Sequence, residues 1–469
     1  MRANRASIRT GPANCRIARA TLRCPQSRVS NLAATDQTER RRFATAITGV
    51  ERHEWPAVVL AFTYFFLVLA AYYVLRPVRE QLSAAAGVGV LLPFYTATLI
   101  VTLIMTPVYG WLVARFPRKR FVPVVYVFFI LNLLAFIPAL RAQGQLDPQI
   151  LGAVFFVWVS VFNLFVVAVF WSFLADIFSS DQAYRLFGIV ALGGTLGAIA
   201  GPLLTKELVH VIGVAPLLGV SAALLAGAVA CILGLIAWSR HHPVARDTQR
   251  NEVVIGGGFW AGAKFVFRSN FLRCIALMML LGDSVGGVLY NLQTDIGHRY
   301  YTDAAARTDF FAGVDAATNA LMALVQIFVT RIVLVRFGPA ASIAGTEVVK
   351  LLTLVTLACL GLPGAVAVAL IVTRAGTYGV NNPAIDSLFT RVDRETRYKA
   401  KAFIDTAVWR FGDVLVMAAI QGMRELASAV PALAWLASRP TFALLAALAS
   451  AFAIRLAWKV RAMPEASRS

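Results

Sequence analysis

Long apolar runs separated by short polar stretches set the pattern of this chain. Stretches such as 121–140 and 154–173 carry no charged residue over about 20 positions, the length a helix needs to cross a hydrocarbon layer of roughly 30 Å. With no water inside that layer, backbone N–H and C=O groups must bond within the segment, so each run is predicted to be a helix. Spans are expected near 56–75, 88–114, 121–140, 150–175, 187–209, 216–238, 271–294, 309–335, 341–361, 363–385, 402–422 and 441–460. The pattern predicts an all-α polytopic membrane protein with about 12 transmembrane helices, parted after the sixth by a long basic segment.

Composition sharpens this picture. Of 469 residues, 59% are hydrophobic and 14% charged, against about 25% charged in soluble domains. No segment outside the spans has the length of a soluble catalytic domain, so no enzymatic activity and no cofactor are expected. The net charge of +20 is explained by placement rather than by nucleic acid. Arg115, Arg118, Lys119 and Arg120 follow span two; Arg240, Arg246, Arg250, Lys264 and Arg268 lie between spans six and seven; Arg391, Arg394, Arg397, Lys399 and Lys401 lie between spans ten and eleven. The intervening loops are poorer in Arg and Lys, which is the positive-inside pattern. It places both termini in the cytoplasm, and a bacterial-type inner (plasma) membrane is the expected location.

Cys231, Cys274 and Cys359 lie in or beside apolar spans, whereas Cys15 and Cys24 lack metal-site spacing, so neither a metal nor a disulfide is expected. Residues 1–54 are Arg-rich and Lys-free, which fits a disordered cytoplasmic tail, an overstated start or a transit-like leader. The expected organisation is therefore this tail, a six-helix bundle over 55–239, a linker over 240–270, a second bundle over 271–461 and a tail over 462–469. The linker contains an amphipathic stretch, Phe259–Arg268, expected on the membrane surface with Trp260, Phe265 and Phe267 in the interface.

Two traces point to duplication. LVARF at 112–116 matches VLVRF at 333–337, and DQAYRLF at 181–187 matches ETRYKAK at 395–401, in the same order and about 215 to 220 residues apart. The span-two loop, GWLVARFPRKR at 110–120, resembles the loop signature of the major facilitator superfamily through Arg115, Arg118 and Lys119, although Ala114 stands where that signature has Asp and Pro117 where it has Gly. A plain positive-inside loop is the alternative. In span five, GGTLGAIAGP places Gly193, Gly197 and Gly201 four apart, a small-residue face for close helix packing; its Gly-x-x-x-Gly-Pro core also resembles the superfamily's antiporter motif.

The most specific resemblance is to the ATP/ADP antiporter family of nucleotide translocases. LRPVRE at 75–80, FWSFLAD followed by SSDQAYRLFG at 170–188, and YKAKAFIDTAVWRFGD at 398–413 match that family's motifs, the last through Lys399, Lys401, Ala402, Asp405, Arg410 and Gly412. The resemblance implies a major facilitator-type fold of two pseudo-symmetric halves and secondary transport related to nucleotide exchange. At positions on which the family's exchange is thought to depend, Arg79 keeps a positive charge, but Gln182 replaces a Glu, Asn291 falls near a second Glu, and Asp413 replaces a Lys. An aspartate there repels a polyphosphate, so the fold is implied more strongly than ATP/ADP exchange.

Charged groups at mid-bilayer cost at least about 2.5 kcal/mol each and are paired, cavity-facing or functional. Arg76, Arg79, Arg374 and Arg410 are the first candidates for substrate binding, because guanidinium meets carboxylate or phosphate through paired hydrogen bonds. Asn291, Tyr378, Asn381 and Asp413 complete that set, and Asp283, Asp315, Asn319 and Asp405 are candidates for coupling or cavity lining. Structural alternatives stand beside these. Arg76 and Arg79 could snorkel or neutralise Asp283 and Asp413, Arg410 could pair with Asp413, and Glu347 with Lys350 fits a local ion pair. Asp315, Asn319 and Gln326 form one stripe of span eight, either a cavity wall or a set of cross-helix hydrogen bonds.

The expected function is alternating-access transport of a small anionic solute, nucleotide included. The expected partners are that solute and the lipid bilayer, with a monomer favoured. A carrier of another solute, or a non-transporting sensor or scaffold on the same fold, is the alternative.

Overall fold

Apolar content and helix caps cut the chain into thirteen α-helices among the described residues. The computed structural model describes residues 50–142, 147–242 and 259–463; the expectations for Cys15, Cys24, the body of the N-terminal tail, most of the linker and the last six residues lie outside them. The first six helices are α1 Trp55–Ala86, α2 Leu91–Arg115, α3 Arg118–Arg141, α4 Pro148–Ile177, α5 Ser180–Ile212 and α6 Val214–His241. A short helix, α7 Phe259–Arg268, precedes α8 Asn270–Tyr300, α9 Ala304–Phe337, α10 Pro339–Leu360, α11 Pro363–Arg391, α12 (394–429) and α13 Arg439–Ala462.

Eleven of the twelve long helices are long and apolar enough to cross a membrane. The exception is α12, which carries Asp405, Arg410, Asp413, Arg424 and Glu425. Such a helix belongs inside a bundle around a polar space, where those groups find partners.

Packing repeats with a six-helix period. In the first half, α1 packs on α4, α5 and α6, α2 on α4, and α3 on α6. In the second half, α8 packs on α11, α12 and α13, α9 on α11, and α10 on α13. The fold is thus an all-α bundle of two pseudo-symmetric six-helix halves. Gly193, Gly197 and Gly201 explain the closest of these contacts, because a Cβ on any of them would strike the backbone carbonyls of Phe62, Phe66 or Ala70 on α1. Single glycines also make the tightest links: Gly213 joins α5 to α6 at φ 81°, and Gly338 joins α9 to α10 at φ 78°, a left-handed conformation that favours glycine.

Prolines interrupt helices in both halves, Pro383 inside α11 among them, but π-turns occur among the described residues in the second half alone. Prolines lie inside α1 (Pro77), α2 (Pro107), α3 (Pro123, Pro138) and α5 (Pro202). In the second half, π-helical turns interrupt α9 at Val325–Thr330, α11 at Thr377–Asn381 and α12 at Ile404–Val408.

Contact between the halves is concentrated at the end away from the basic loops. There α5 packs on the Ala304–Leu324 stretch of α9, and α2 on the Trp409–Ala429 stretch of α12. One apolar core crosses the boundary, with Val90, Leu91, Phe94 and Phe156 from the first half against Val285, Leu289, Tyr290 and Met417 from the second. Toward the basic loops, a separate core contains Leu272, Ile275, Ile385, Leu388 and Ile404, all from the second half. The bundle is therefore closed at one end.

The linker helix differs from expectation in its surroundings. Ala263 and Val266 of α7 are buried, and Gly262 sits against Lys399 and Phe403 of α12, so the helix is held by protein contacts as well as by its amphipathic face. Phe267 is exposed, whereas Phe265 packs on the inner core; the side chain of Trp260 lies outside the description.

Candidate functional site

Between the halves lies a cavity of about 600 Å³ whose walls come from α1, α2 and α4 on one side and α8, α9, α11 and α12 on the other. Its lining reaches toward the basic-loop end through Met278, Ile385 and Asp405, and the shared apolar core closes its far end.

Two arginines of α1 form one wall. Pro77, between Arg76 and Arg79, has no N–H for the preceding turn and so interrupts the helix at this level. Arg76 Nε lies 3.4 Å from Asp315 Oδ2 and 3.8 Å from Glu80 Oε1. Arg79 Nη2 donates to Glu80 Oε1 at 2.5 Å, and its guanidinium sits 4.7 Å from the centre of the Phe156 ring. The Tyr290 hydroxyl donates to the other Glu80 oxygen. From the opposite half, Arg374 Nη1 reaches Asp315 Oδ1 at 3.7 Å. Asp315, 3% exposed, is thus held by one arginine from each half.

A second polar group lies across α8 and α12. Arg410 Nη1 is 3.7 Å from Asp413 Oδ2 one turn on. The Asp283 carboxyl faces Asp413 and the Trp409 side chain. Gly412 permits that approach, since a Cβ there would lie 2.8 Å from Leu280 and 3.3 Å from Asp283 Oδ2. That same Asp283 oxygen is buried without a hydrogen-bond partner. Below the α11 wall, Lys350 Nζ donates to Glu347 Oε1 at 2.6 Å, and Asn381 Nδ2 donates to the same oxygen at 2.8 Å. The pair expected along α10 therefore exists and anchors a cavity-lining asparagine.

Leaving aside Asp405 near the mouth, which has Lys401 as its near cation, charge in the inner part of this site is balanced. The four arginines Arg76, Arg79, Arg374 and Arg410 face four carboxyls, Glu80, Asp283, Asp315 and Asp413. Asp405 lines the cavity nearer its mouth.

The sequence candidates are placed as follows. Arg76, Arg79, Arg374, Tyr378, Asn381, Arg410, Asp413, Asp283, Asn319 and Asp405 all line the cavity. Asp315 sits behind two of the arginines as their counter-charge. Asn319 donates to the Ala198 carbonyl at 2.6 Å, a bond between the halves. Asn291 is buried outside the lining, where it accepts from Arg424 at 2.8 Å. Gln326 leaves the stripe of α9 and is exposed, donating to the Tyr378 carbonyl at 3.2 Å. Gln326 lies in the π-turn beginning at Val325, so of the stripe Asp315, Asn319 and Gln326 only Asn319 lines the cavity, with Asp315 buried behind its arginines.

Gln182, one of the departures noted above, has a local role: it completes a capping box with Ser179 and donates to buried Glu54 at 2.9 Å, beside Arg185. Tyr72, Tyr73, Tyr95, Tyr290 and Trp409 also line the site. Sequence reading passed over them because aromatic residues in apolar spans look like packing; for all but Tyr95 of α2, positions on the polar stripes of α1, α8 and α12 were the available signal.

Comparison with known proteins places this geometry in context. The family model described as Major Facilitator Superfamily matches residues 57–417. No curated protein matches the chain. Among solved structures, a bacterial homologue of the iron transporter ferroportin in an inward-facing state aligns at TM-score 0.63 and 13% identity, over 88% of this chain and 99% of that one. The D323A mutant of the nucleoside transporter NupG aligns at TM-score 0.61 and 14% identity, over 86% and 99%. A bacterial homologue of the human lysosomal transporter Spinster, inward-facing and unoccupied, aligns at TM-score 0.56 and 15% identity, over 88% and 100%. Likeness at these identities is likeness of fold.

Proposed function

Because the chain belongs to the Major Facilitator Superfamily, we propose that it is a secondary carrier that moves a small solute bearing an anionic group, together with a proton, by alternating access. The observation that carries this reading is the convergence of Arg76 and Arg374, from opposite halves, on one buried carboxylate at the cavity wall. An anionic group entering the cavity competes with Asp315 for those guanidiniums. Binding and release of the solute then alter a bridge that ties the halves together, which couples occupancy to their rocking.

The charge balance supports the proton. Four arginines against four carboxyls leave no surplus for an anion, so the solute brings a countercharge or the site supplies one. Asp283 and Asp413 face each other with Arg410 as the near cation, while Arg79, Tyr95 and Tyr378 look on from α1, α2 and α11. A proton taken up by this pair leaves one net positive charge for a monoanion. The cytoplasmic placement of the basic loops and termini, in a bacterial-type inner membrane, belongs to the same proposal and makes the cavity inward-facing.

The test is uptake into proteoliposomes under an imposed proton gradient, with internal pH followed by a trapped dye. Solute accumulation should move with proton influx, and Asp283→Asn or Asp413→Asn should uncouple the two. Accumulation that ignores the gradient in the unaltered protein would sink the coupling. Nucleotide exchange, which the ATP/ADP antiporter resemblance implies, ranks second because the balanced site offers a polyphosphate no excess of cations; ATP/ADP counterflow in the same vesicles tests it.

A further inference from the structure

On the lipid-facing side of the first half, α2 and α3 both pack on α4, which forms the floor of a groove between them. The groove holds about 760 Å³ and is lined entirely by Ala, Val, Leu, Met, Phe and Trp side chains, among them Val101, Met105, Phe128, Val157 and Trp158. From Ala97 to Leu112 it runs about 22 Å along α2 at 1.5 Å per residue, the length of an extended acyl chain.

Its end at the α2–α3 loop is chemically different. Arg115 lies three residues beyond Leu112, and Arg120 lies four before Val124, so each sits on the helix face that lines the groove. Both are exposed, and Lys119 beside them reaches Ser239 at 3.0 Å. Residues 110–120 contain no acid. Trp111 and Phe116 are exposed at the same level with ring centres 6.3 Å apart, aromatic groups of the kind that settle at headgroup depth.

We propose that this groove is a binding site for an anionic phospholipid, with an acyl chain along α2, α3 and α4 and its headgroup on Arg115 and Arg120. Apolar surface alone would accept any lipid; the basic end makes the site selective for negative headgroups. The lipid enters from the leaflet on the side of the α2–α3 loop. Since α2 also packs on α12 at the closed end, occupancy acts on a helix that joins the halves.

Trp158 provides the probe. The full chain is reconstituted in phosphatidylcholine vesicles containing increasing fractions of bromine-labelled phosphatidylglycerol or bromine-labelled phosphatidylcholine. The Trp158 contribution to fluorescence is taken as the difference between the unaltered protein and Trp158→Phe. Its quenching should reach half-maximum at a mole fraction at least threefold lower for the anionic lipid. Arg115→Gln with Arg120→Gln should make the two curves coincide, and Val101→Phe, which narrows the groove, should reduce Trp158 quenching with either lipid. Coincident curves in the unaltered protein would reduce the groove to ordinary bilayer contact and overturn the proposal. Selectivity that survives the double substitution would overturn the headgroup assignment.

Discussion

Removing the carboxylate that bridges the halves tests the central geometry directly. In Asp315→Asn the shape of the side chain is kept and its charge is lost. Arg76 loses its 3.4 Å link to the second half and keeps Glu80 on its own helix at 3.8 Å, and the ion pair described for Arg374 is lost as well. All three side chains are largely buried: 16% exposed for Arg76, 15% for Arg374 and 4% for Asp315. Breaking a buried pair costs about 3–5 kcal/mol. The lower figure applies here, because both guanidiniums border an open cavity and one retains a partner. At 1.4 kcal/mol per factor of ten, about 3 kcal/mol moves the balance between the closed-end arrangement and its alternatives by roughly 100-fold.

Spin labels at Val211 on α5 and Thr302 before α9, both exposed at the closed end, would read that balance as a distance distribution. Asp315→Asn should add a longer-distance population and lower the melting temperature. An unchanged distribution with an unchanged melting temperature would refute the reasoning, since the bridge would then contribute nothing to holding the halves.

Other expectations are more local. Gly197→Leu drives a side chain into the Phe66 carbonyl on α1; overpacking costs about 1–3 kcal/mol, read as a lower melting temperature, whereas Gly110→Leu, with open space at its Cβ, should melt like the parent. Arg374→Lys keeps the charge but loses the planar fork, so uptake should fall at least about tenfold, chiefly through KM; equal transport by the two proteins would exclude a guanidinium role. Lys206→Gln at the closed end, where the lysine lies 3.7 Å from Asp309 and is half-exposed, should shift stability by less than about 1 kcal/mol and only at low salt.

Asp393 caps α12 by accepting the Thr396 N–H at 2.9 Å, which holds its carboxyl below the usual carboxylate range. The cap's contribution is therefore present above the ordinary carboxylate pKa and lost as pH falls through the depressed one. Asp393→Ala should cost about 1 kcal/mol at neutral pH, with the difference from the parent vanishing in acid; a pH-independent difference would show that another effect dominates.

The helical architecture was legible because a bilayer leaves the backbone few choices. Even α12, the one long helix too charged to count as apolar throughout, was read as a span from its run over 402–422. The site was legible where helical spacing stays regular. Arg76 and Glu80, four apart, and Arg410 and Asp413, three apart, meet as one helix face requires. Spacing also explains Asn291: eight residues beyond Asp283 it is turned by about 80°, whereas Tyr290, seven beyond, keeps the face and lines the cavity. Gln326 escaped because nothing in VQIFVT announces a π-turn. Asp315 was recognised as a polar group on a wall, but that it stands between arginines of spans one and ten is a fact of tertiary packing.

The two halves share a packing plan, but among the described residues π-turns interrupt the helices of the second half alone, and this has a mechanical consequence. A proline break is written into the covalent chain: it stays at Pro77 or Pro202 in every state the protein visits. A π-turn is a fault in hydrogen-bond register, and it can slide along its helix by exchanging one carbonyl for the next. Two such faults, in α11 and α12, hold the cavity-lining residues Thr377, Tyr378, Asn381 and Asp405, and a third lies in α9 just past the lining residue Met322. The first half thus carries bends fixed by its prolines, whereas the second adds register faults to the one fixed by Pro383 in α11.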